Sequence, residues 1–245
     1  MSGPLRFYGD GLPYLPYREV KGCLIAIEGT DGVGRSTQVD LLKRWLQVNG
    51  YGVVETGWTR SKLVQRALDM AKAGNLLNRM TFSLLYAADF ADRLENVILP
   101  ALRSGFVVLS DRYVHTAFAR DHVRGADSRW IRDLFGFAPI PDLACYLKID
   151  LDHLIPRVLE SGGMNYWESG MDLRMGEDIF DSFKNYQGAL LGEYDRLARE
   201  FGFEVVDAAR PIGEIQRDLQ ERIAKVLPIR PPAATVHPVP APTTA

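Results

Sequence analysis

The sequence predicts a three-layer α/β fold, a five-stranded parallel sheet flanked by helices. Two observations carry that prediction. Five short runs, "CLIAIE" (23–28), "GVVET" (52–56), "FVVLS" (106–110), "LACYLKI" (143–149) and "FEVVD" (203–207), are apolar enough to suit parallel strands covered on both faces. Longer stretches with apolar residues three and four apart separate them, and that alternation is the signature of a doubly wound sheet.

Taken in order, the first run leads into a glycine-rich loop and then "STQVDLLKRWLQVNG", an amphipathic helical pattern closed by Gly50. A second stripe, Phe82, Leu85, Tyr86, Phe90, Leu94, Val97 and Ile98, recurs at helical spacing with Pro100 near its end. Phe183, Tyr186, Leu190, Tyr194 and Leu197 form a third, and "IGEIQRDLQERIAKVL" supplies a final amphipathic helix. The acidic group Glu177, Asp178 and Asp181 reads either as a helix N-terminal charge set or as part of a lid.

Length and charge set the outer limits. The chain has 245 residues, 47% apolar and 24% charged, enough for one sizeable core, and no linker divides it before residue 227. Lys plus Arg is 29 against Asp plus Glu 31, so no overall positive field favours a nucleic acid polymer or an anionic membrane. No stretch approaches the roughly 18 apolar residues of a membrane span, and the first 22 residues lack the apolar segment of a signal peptide. Cys23 and Cys145 fall in apolar runs outside any CxxC or Cys/His cluster, which suits a reduced, cytoplasmic setting. Residues 1–21, with Phe7, Tyr8, Tyr14 and Tyr17, read as an arm packed on the body; residues 228–245 read as a disordered Pro- and Ala-rich tail.

The run Gly29-Thr30-Asp31-Gly32-Val33-Gly34-Arg35-Ser36 fits GxxxxGK[ST] except at the lysine, where arginine stands. Its backbone N–H groups, with Thr37 and the start of the following helix, form a cradle for phosphates, and Ser36 would ligate Mg²⁺. These features point to a P-loop NTPase fold that binds ATP. Arg35 is larger and flatter than lysine, so it either serves the terminal phosphates in lysine's place or marks a loop that binds without catalysing. In "FVVLSDRY", Asp111 ends a strand where ligands gather, able to hold Mg²⁺ or accept a proton, with Arg112 beside it for a phosphate. The plainer reading of the pair is a cap on the next helix.

"EGTDGVGRST", "GWTRSKLV", "LLYAADFADR", "SDRYVHTAFA", "PDLACYLKID" and "VVDAARPIGEI" together resemble the thymidylate kinase group of P-loop nucleoside monophosphate kinases, over about residues 22–226. The resemblance implies a 22–227 kinase domain acting on a nucleotide substrate, dTMP above others, with ATP and Mg²⁺, as a homodimer. It implies that Arg60 and Arg112 bind the acceptor phosphate, that Asp31 approaches the sugar 3′ hydroxyl, and that Tyr86 stacks on the base, although Tyr86 also suits a core stripe. Tyr113 and Thr116 belong to the same acceptor segment.

The departures cluster on the acceptor side. The family's base-contacting arginine falls at Phe90, which cannot donate. Arg93, one turn on, either substitutes or pairs with Asp89 as a solvated i,i+4 bridge. The "AYQ" that often follows "DRY" is Ala119, Arg120 and Asp121 here, and the "REPGG" form is missing. A lid over about residues 157–180, hinged at Gly162, Gly163 and Gly170, offers Arg157 and Arg174; Arg174 lies nearer its middle and is the preferred transition-state cation, with a solvated surface role the alternative. His115 either lines the acceptor pocket or simply packs. Alternative activities are a P-loop kinase for another deoxynucleoside or small phosphorylated acceptor, and a catalytically weak nucleotide-binding regulatory protein.

Overall fold

The computed structural model describes residues 3–15, 19–73 and 78–228. Tyr17 and residues 229–245 of the expected tail lie outside that set. The elements are β1 (Gly3–Pro4), β2 (Glu19–Val20), β3 (Cys23–Glu28), α1 (Arg35–Val48), β4 (Val53–Gly57), α2 (Gln65–Ala73), α3 (Arg79–Arg93), a π-helical turn (Leu94–Ile98) and α4 (Leu99–Arg103). There follow β5 (Val107–Asp111), α5 (Val114–Val123), α6 (Ser128–Leu134), β6 (Leu143–Lys148), α7 (Leu151–Glu160), a 3₁₀ turn (Met171–Leu173), α8 (Ile179–Phe201), β7 (Glu204–Asp207) and α9 (Ile212–Ala224). Each main strand falls within one residue of its apolar run.

Five strands form one parallel sheet in the order β4-β5-β3-β6-β7. The chain runs first to one side of β3 and then to the other, so the carboxyl ends of β3 and β5 lie side by side, with Ile27 opposite Asp111. Ligands bind at such a position because the loops leaving the strand ends part there.

Alternation along the strands builds two cores. Leu24, Ala26, Val108 and Tyr146 face the layer holding α3, α5 and α8; Ile25, Ile27, Val107, Leu109 and Leu147 face α1, α7 and α9. The α8 stripe is buried throughout, with Phe183, Tyr186, Leu190, Tyr194 and Leu197 all in the interior. Asp178 of the acidic group caps that helix by accepting from Asp181 N at 2.8 Å, so this residue belongs to a helix start.

One stripe departs from its expected register. Val97 is 37% exposed, whereas Ile98, Leu99 and Leu102 are buried. The π-helical turn inserts an extra residue per turn just before Pro100, whose missing N–H and ring disfavour a regular i→i−4 ladder.

The N-terminal residues pack on the body as a strap. Tyr8 makes edge contacts with His115, Phe118 and Phe201, and its hydroxyl lies 2.6 Å from His115 Nε2. Tyr14 is mostly exposed and donates to Glu95.

Candidate active site

β3 ends at Glu28, and the loop that follows is shaped by two glycines. Gly34 caps α1 at φ 96°, and Gly32 has φ 78° where an added Cβ would sit 2.4 Å from Val158 Cγ2. No side chain caps α1, so its first N–H groups remain available to an anion.

Arg35 bends back into this loop. Its Nη1 donates to Gly29 O at 2.6 Å and to Thr30 O, and its Nε donates to Asp111 Oδ1 at 2.8 Å. The other Asp111 oxygen accepts from Ser36 Oγ at 3.1 Å. Arginine thus ties both ends of the loop to the end of β5 through two nitrogens of one planar group, Nη1 on the loop carbonyls and Nε on Asp111, whereas an ammonium gathers its donors on a single nitrogen. Ser36 and Asp111 offer a hydroxyl and a carboxylate, the hard oxygen donors that Mg²⁺ prefers. Among the described residues no group of three or more His, Cys, Asp or Glu could hold a metal alone, so these two fit an ion that draws its remaining ligands from phosphate oxygens and water.

Arg112 adopts φ 71°, uncommon for a residue with a Cβ, at the turn leaving β5. The turn is held by Arg112 N donating to Ile27 O at 3.0 Å and by Ser110 Oγ donating to Arg112 O at 2.6 Å. It aims the guanidinium back over the loop, where it pairs with Asp31 and reaches Gly29 O at 3.4 Å. Burial alone would raise the Asp31 carboxyl, but Arg112 and then Arg35 overrule it and hold it below the ordinary carboxylate value. Glu168 faces the same charges from the segment before α8; burial, reinforced by Asp31, pushes its carboxyl up.

A cavity of about 570 Å³ opens beside Asp31, Asp111 and Arg112. Arg60 and Thr116 line it, and its far end is aromatic: Trp58, Phe82, Tyr86, Trp167 and Tyr186. Arg60 projects from the loop after β4, its Nη1 donating to Glu55 at 2.7 Å. That loop is fixed from beneath by Asp89, which accepts from Thr59 N at 3.2 Å and Ser61 N at 2.9 Å, and Thr59 is strained at φ 58°. A second cavity of about 530 Å³ lies on the other side of the loop, against Val33, Gly34, Thr37, Arg157 and Arg210. Arg157 Nη1 donates to Ala208 O at 2.8 Å and to Val33 O at 3.5 Å, joining the loop to the segment after β7. The glycine loop therefore stands between two nucleotide-sized spaces.

Several residues named from the sequence lie elsewhere. Phe90 is fully buried against Tyr113, Phe135 and Phe137. Arg93 is 3% exposed, and its bridge to Asp89, 2.9 Å, is in the interior and not solvated; its Nη1 also donates to Thr56 at 3.1 Å. It does not line the cavity and acts on it through Asp89, beneath the Arg60 loop, and through Trp58, whose ring centroid lies 5.9 Å from its Cζ. Tyr113 is buried, its hydroxyl on Pro139 O at 2.7 Å. Arg174 lines an adjoining cavity of about 350 Å³ with Arg79 and Asp172, which shares Phe82, Arg124 and Trp167 with the first and includes no residue of the glycine loop. His115 is fully buried between Tyr8 and Glu28.

Two further arginines complete the cavity, Arg120, which the sequence marks only as a departure on the acceptor side, and Arg124, which it does not single out. Arg120 on α5 and Arg124, the residue that caps its C-terminus, line it, and Arg124 pairs with Asp172 while reaching Trp167 O at 3.3 Å. The change at "AYQ" was the available signal.

The family model described as "Thymidylate kinase" matches residues 27–219. The chain is 37% identical over 210 residues to "Probable thymidylate kinase 2" of Saccharolobus solfataricus, covering 85% of this chain and 98% of that protein. This chain belongs to the thymidylate kinase family. It is also 36% identical over 208 residues to the "Thymidylate kinase" of Clavibacter michiganensis, covering 82% and 94%, and 31% identical over 207 residues to the "Probable thymidylate kinase" of Pyrococcus horikoshii, covering 82% and 95%. As a thymidylate kinase family member, it sets an arginine-anchored loop in the parallel sheet that the sequence predicts.

Proposed function

We propose that the chain transfers the terminal phosphoryl group of ATP directly to the phosphate of dTMP, yielding dTDP and ADP. The observation that carries this reading is the loop standing between two cavities, one bordered by Asp31, Arg60 and Arg112 and the other by Thr37 and Arg157. An oxygen of the dTMP phosphate attacks the terminal phosphorus as the bond from that phosphorus to the bridging oxygen of ADP breaks, with no group transferred to the protein. Charge stabilisation and positioning, rather than covalent chemistry, are what such a transfer requires.

Arg60 and Arg112 bind and orient the acceptor phosphate, while the loop N–H groups and Arg35 bind the donor phosphates. Ser36 and Asp111 would hold Mg²⁺, which when bound neutralises phosphate charge and orients the donor. The segment between α7 and α8, bearing Asn165, Trp167 and Glu168 over the first cavity, forms a lid that excludes water.

Two finer assignments belong to the same reading. Exposed Met70 on α2 with Met80 and Leu84 on α3 support a homodimer. The free, buried Cys23 and Cys145 support a cytoplasmic setting; among the described residues no helix is long and apolar enough to cross a membrane.

Initial rates measured against ATP at several dTMP concentrations test the mechanism. Intersecting double-reciprocal lines are expected for transfer within a ternary complex. Parallel lines would overturn it, because they signal a covalent intermediate.

A further inference from the structure

Resting on the kinase reading, we propose that Arg120 is the residue that reads the acceptor base, by donating a hydrogen bond to a base carbonyl oxygen, so that the site favours dTMP over dCMP. Arg120 leaves α5 at the aromatic end of the cavity. Its Cζ lies 3.9 Å from the Tyr86 ring centroid, 4.6 Å from that of Phe82 and 5.7 Å from that of Trp58. A guanidinium so placed covers the Tyr86 face, so a base entering here meets the planar cation as well as the aromatic rings.

The hydrogen bonding of the site gives the polarity of what it takes. Arg120 Nε donates to Asp121 Oδ1 at 2.9 Å, but its Nη2 is buried with no partner. The Nε of Arg124, at the C-terminal cap of α5, is likewise buried without a partner. Unsatisfied buried donors are uncommon enough to signal a missing acceptor. The nearby carboxylate cannot supply the opposite polarity: Asp121 has one oxygen on Arg120 and the other on Ser83 Oγ at 2.7 Å, and it does not line this cavity.

Guanidinium offers donors only. A pyrimidine with carbonyls on its edge complements it, whereas the cytosine amino group sets donor against donor. Phe90 bears no donor and lies in the core; Arg93 also keeps a buried Nη2 with no partner, but it does not line this cavity, its Nε and Nη1 being turned to Asp89 and Thr56. The base-edge cation therefore comes from α5, and Asp121 orients it.

Isothermal titration calorimetry with dTMP and dCMP, on wild type, Arg120→Met and Arg120→Lys, tests the assignment without needing turnover. Wild type should bind dTMP at least tenfold more tightly than dCMP. Arg120→Met should weaken dTMP roughly 10- to 100-fold and collapse the preference, the scale expected when a buried polar partner is lost. Arg120→Lys, which keeps a donor, should recover part of the preference, and ATP affinity should be unchanged in all three. Equal affinity of wild type for dTMP and dCMP overturns the proposal even if Arg120→Met fails to fold, as does a folded Arg120→Met that keeps wild-type preference. Selective dTMP binding by a protein that forms no dTDP would instead overturn the kinase reading and leave base reading by Arg120 supported.

Discussion

Arg35 and Asp111, 76 residues apart in sequence, are joined by a 2.8 Å bond from Nε to Oδ1, which fastens the glycine loop to the end of the neighbouring strand. The same guanidinium holds Gly29 O and Thr30 O, so the loop is built around arginine geometry. Replacement by lysine keeps the charge and breaks that joint. Arg35→Lys should lower kcat roughly 10- to 100-fold, the cost of a displacement of about 1 Å at a reacting centre, with little change in ATP affinity. Steady-state kinetics and ATP titration check this. A rise in kcat would mean that the loop has lost its catalytic cation and has not adapted to arginine.

Asp89 supports the acceptor loop without touching the cavity. It is fully buried, pairs with Arg93, and accepts the Thr59 and Ser61 N–H groups. Asp89→Ala strands a buried guanidinium and two backbone donors, so a loss of about 3–5 kcal/mol is expected by denaturant unfolding. Because Arg60 rides on that loop, KM for dTMP should rise while KM for ATP holds. An unaltered dTMP KM in folded variant would separate the Asp89 pair from the acceptor loop.

Phe90 occupies the position at which family resemblance places a base contact, and here it is core. Phe90→Ala should cost about 3–5 kcal/mol through the cavity it leaves. At a temperature where the variant stays folded, the ratio of kcat/KM for dTMP to that for dCMP should match wild type. A shifted ratio would put Phe90 back in base recognition.

Acid sensitivity follows from Asp31. Its folded carboxyl titrates below the ordinary value of 3.8, so the stability it contributes is fully present above that value and is lost as pH falls through the lowered one. Thermal unfolding midpoints from pH 6 downward should therefore fall more steeply for wild type than for Asp31→Asn once pH drops below about 4. Parallel curves would show that the Arg112 and Arg35 pairing does not stabilise the fold.

The sheet was legible because each parallel strand is covered on both faces and so appears as an unbroken apolar run bounded by turns. The glycine loop was legible because few other backbones need that spacing of residues free of a Cβ. The acceptor side was not. Arg93 and Asp89 sit four apart on α3, a spacing common on solvated helix faces, and only the packing of Trp58, Phe90 and the Arg60 loop takes them out of water. Arg120 is similar: its surroundings come from α3, the loop after β4 and its own helix, so its burial among Trp58, Phe82 and Tyr86 cannot be read from local sequence. Arg174 stood near the middle of the glycine-bordered segment, but it lines the adjoining cavity with Arg79 and Asp172, a placement set by tertiary packing and not by its position along the segment.

Product analysis of the purified chain with ATP and Mg²⁺ tests the central claim most directly, using a panel of ribo- and deoxynucleoside monophosphates and nucleosides. The account predicts stoichiometric dTDP and ADP from dTMP, well above turnover of every other acceptor. A blank panel with ATP binding intact would contradict it and leave a nucleotide-binding protein that does not transfer phosphate to these acceptors.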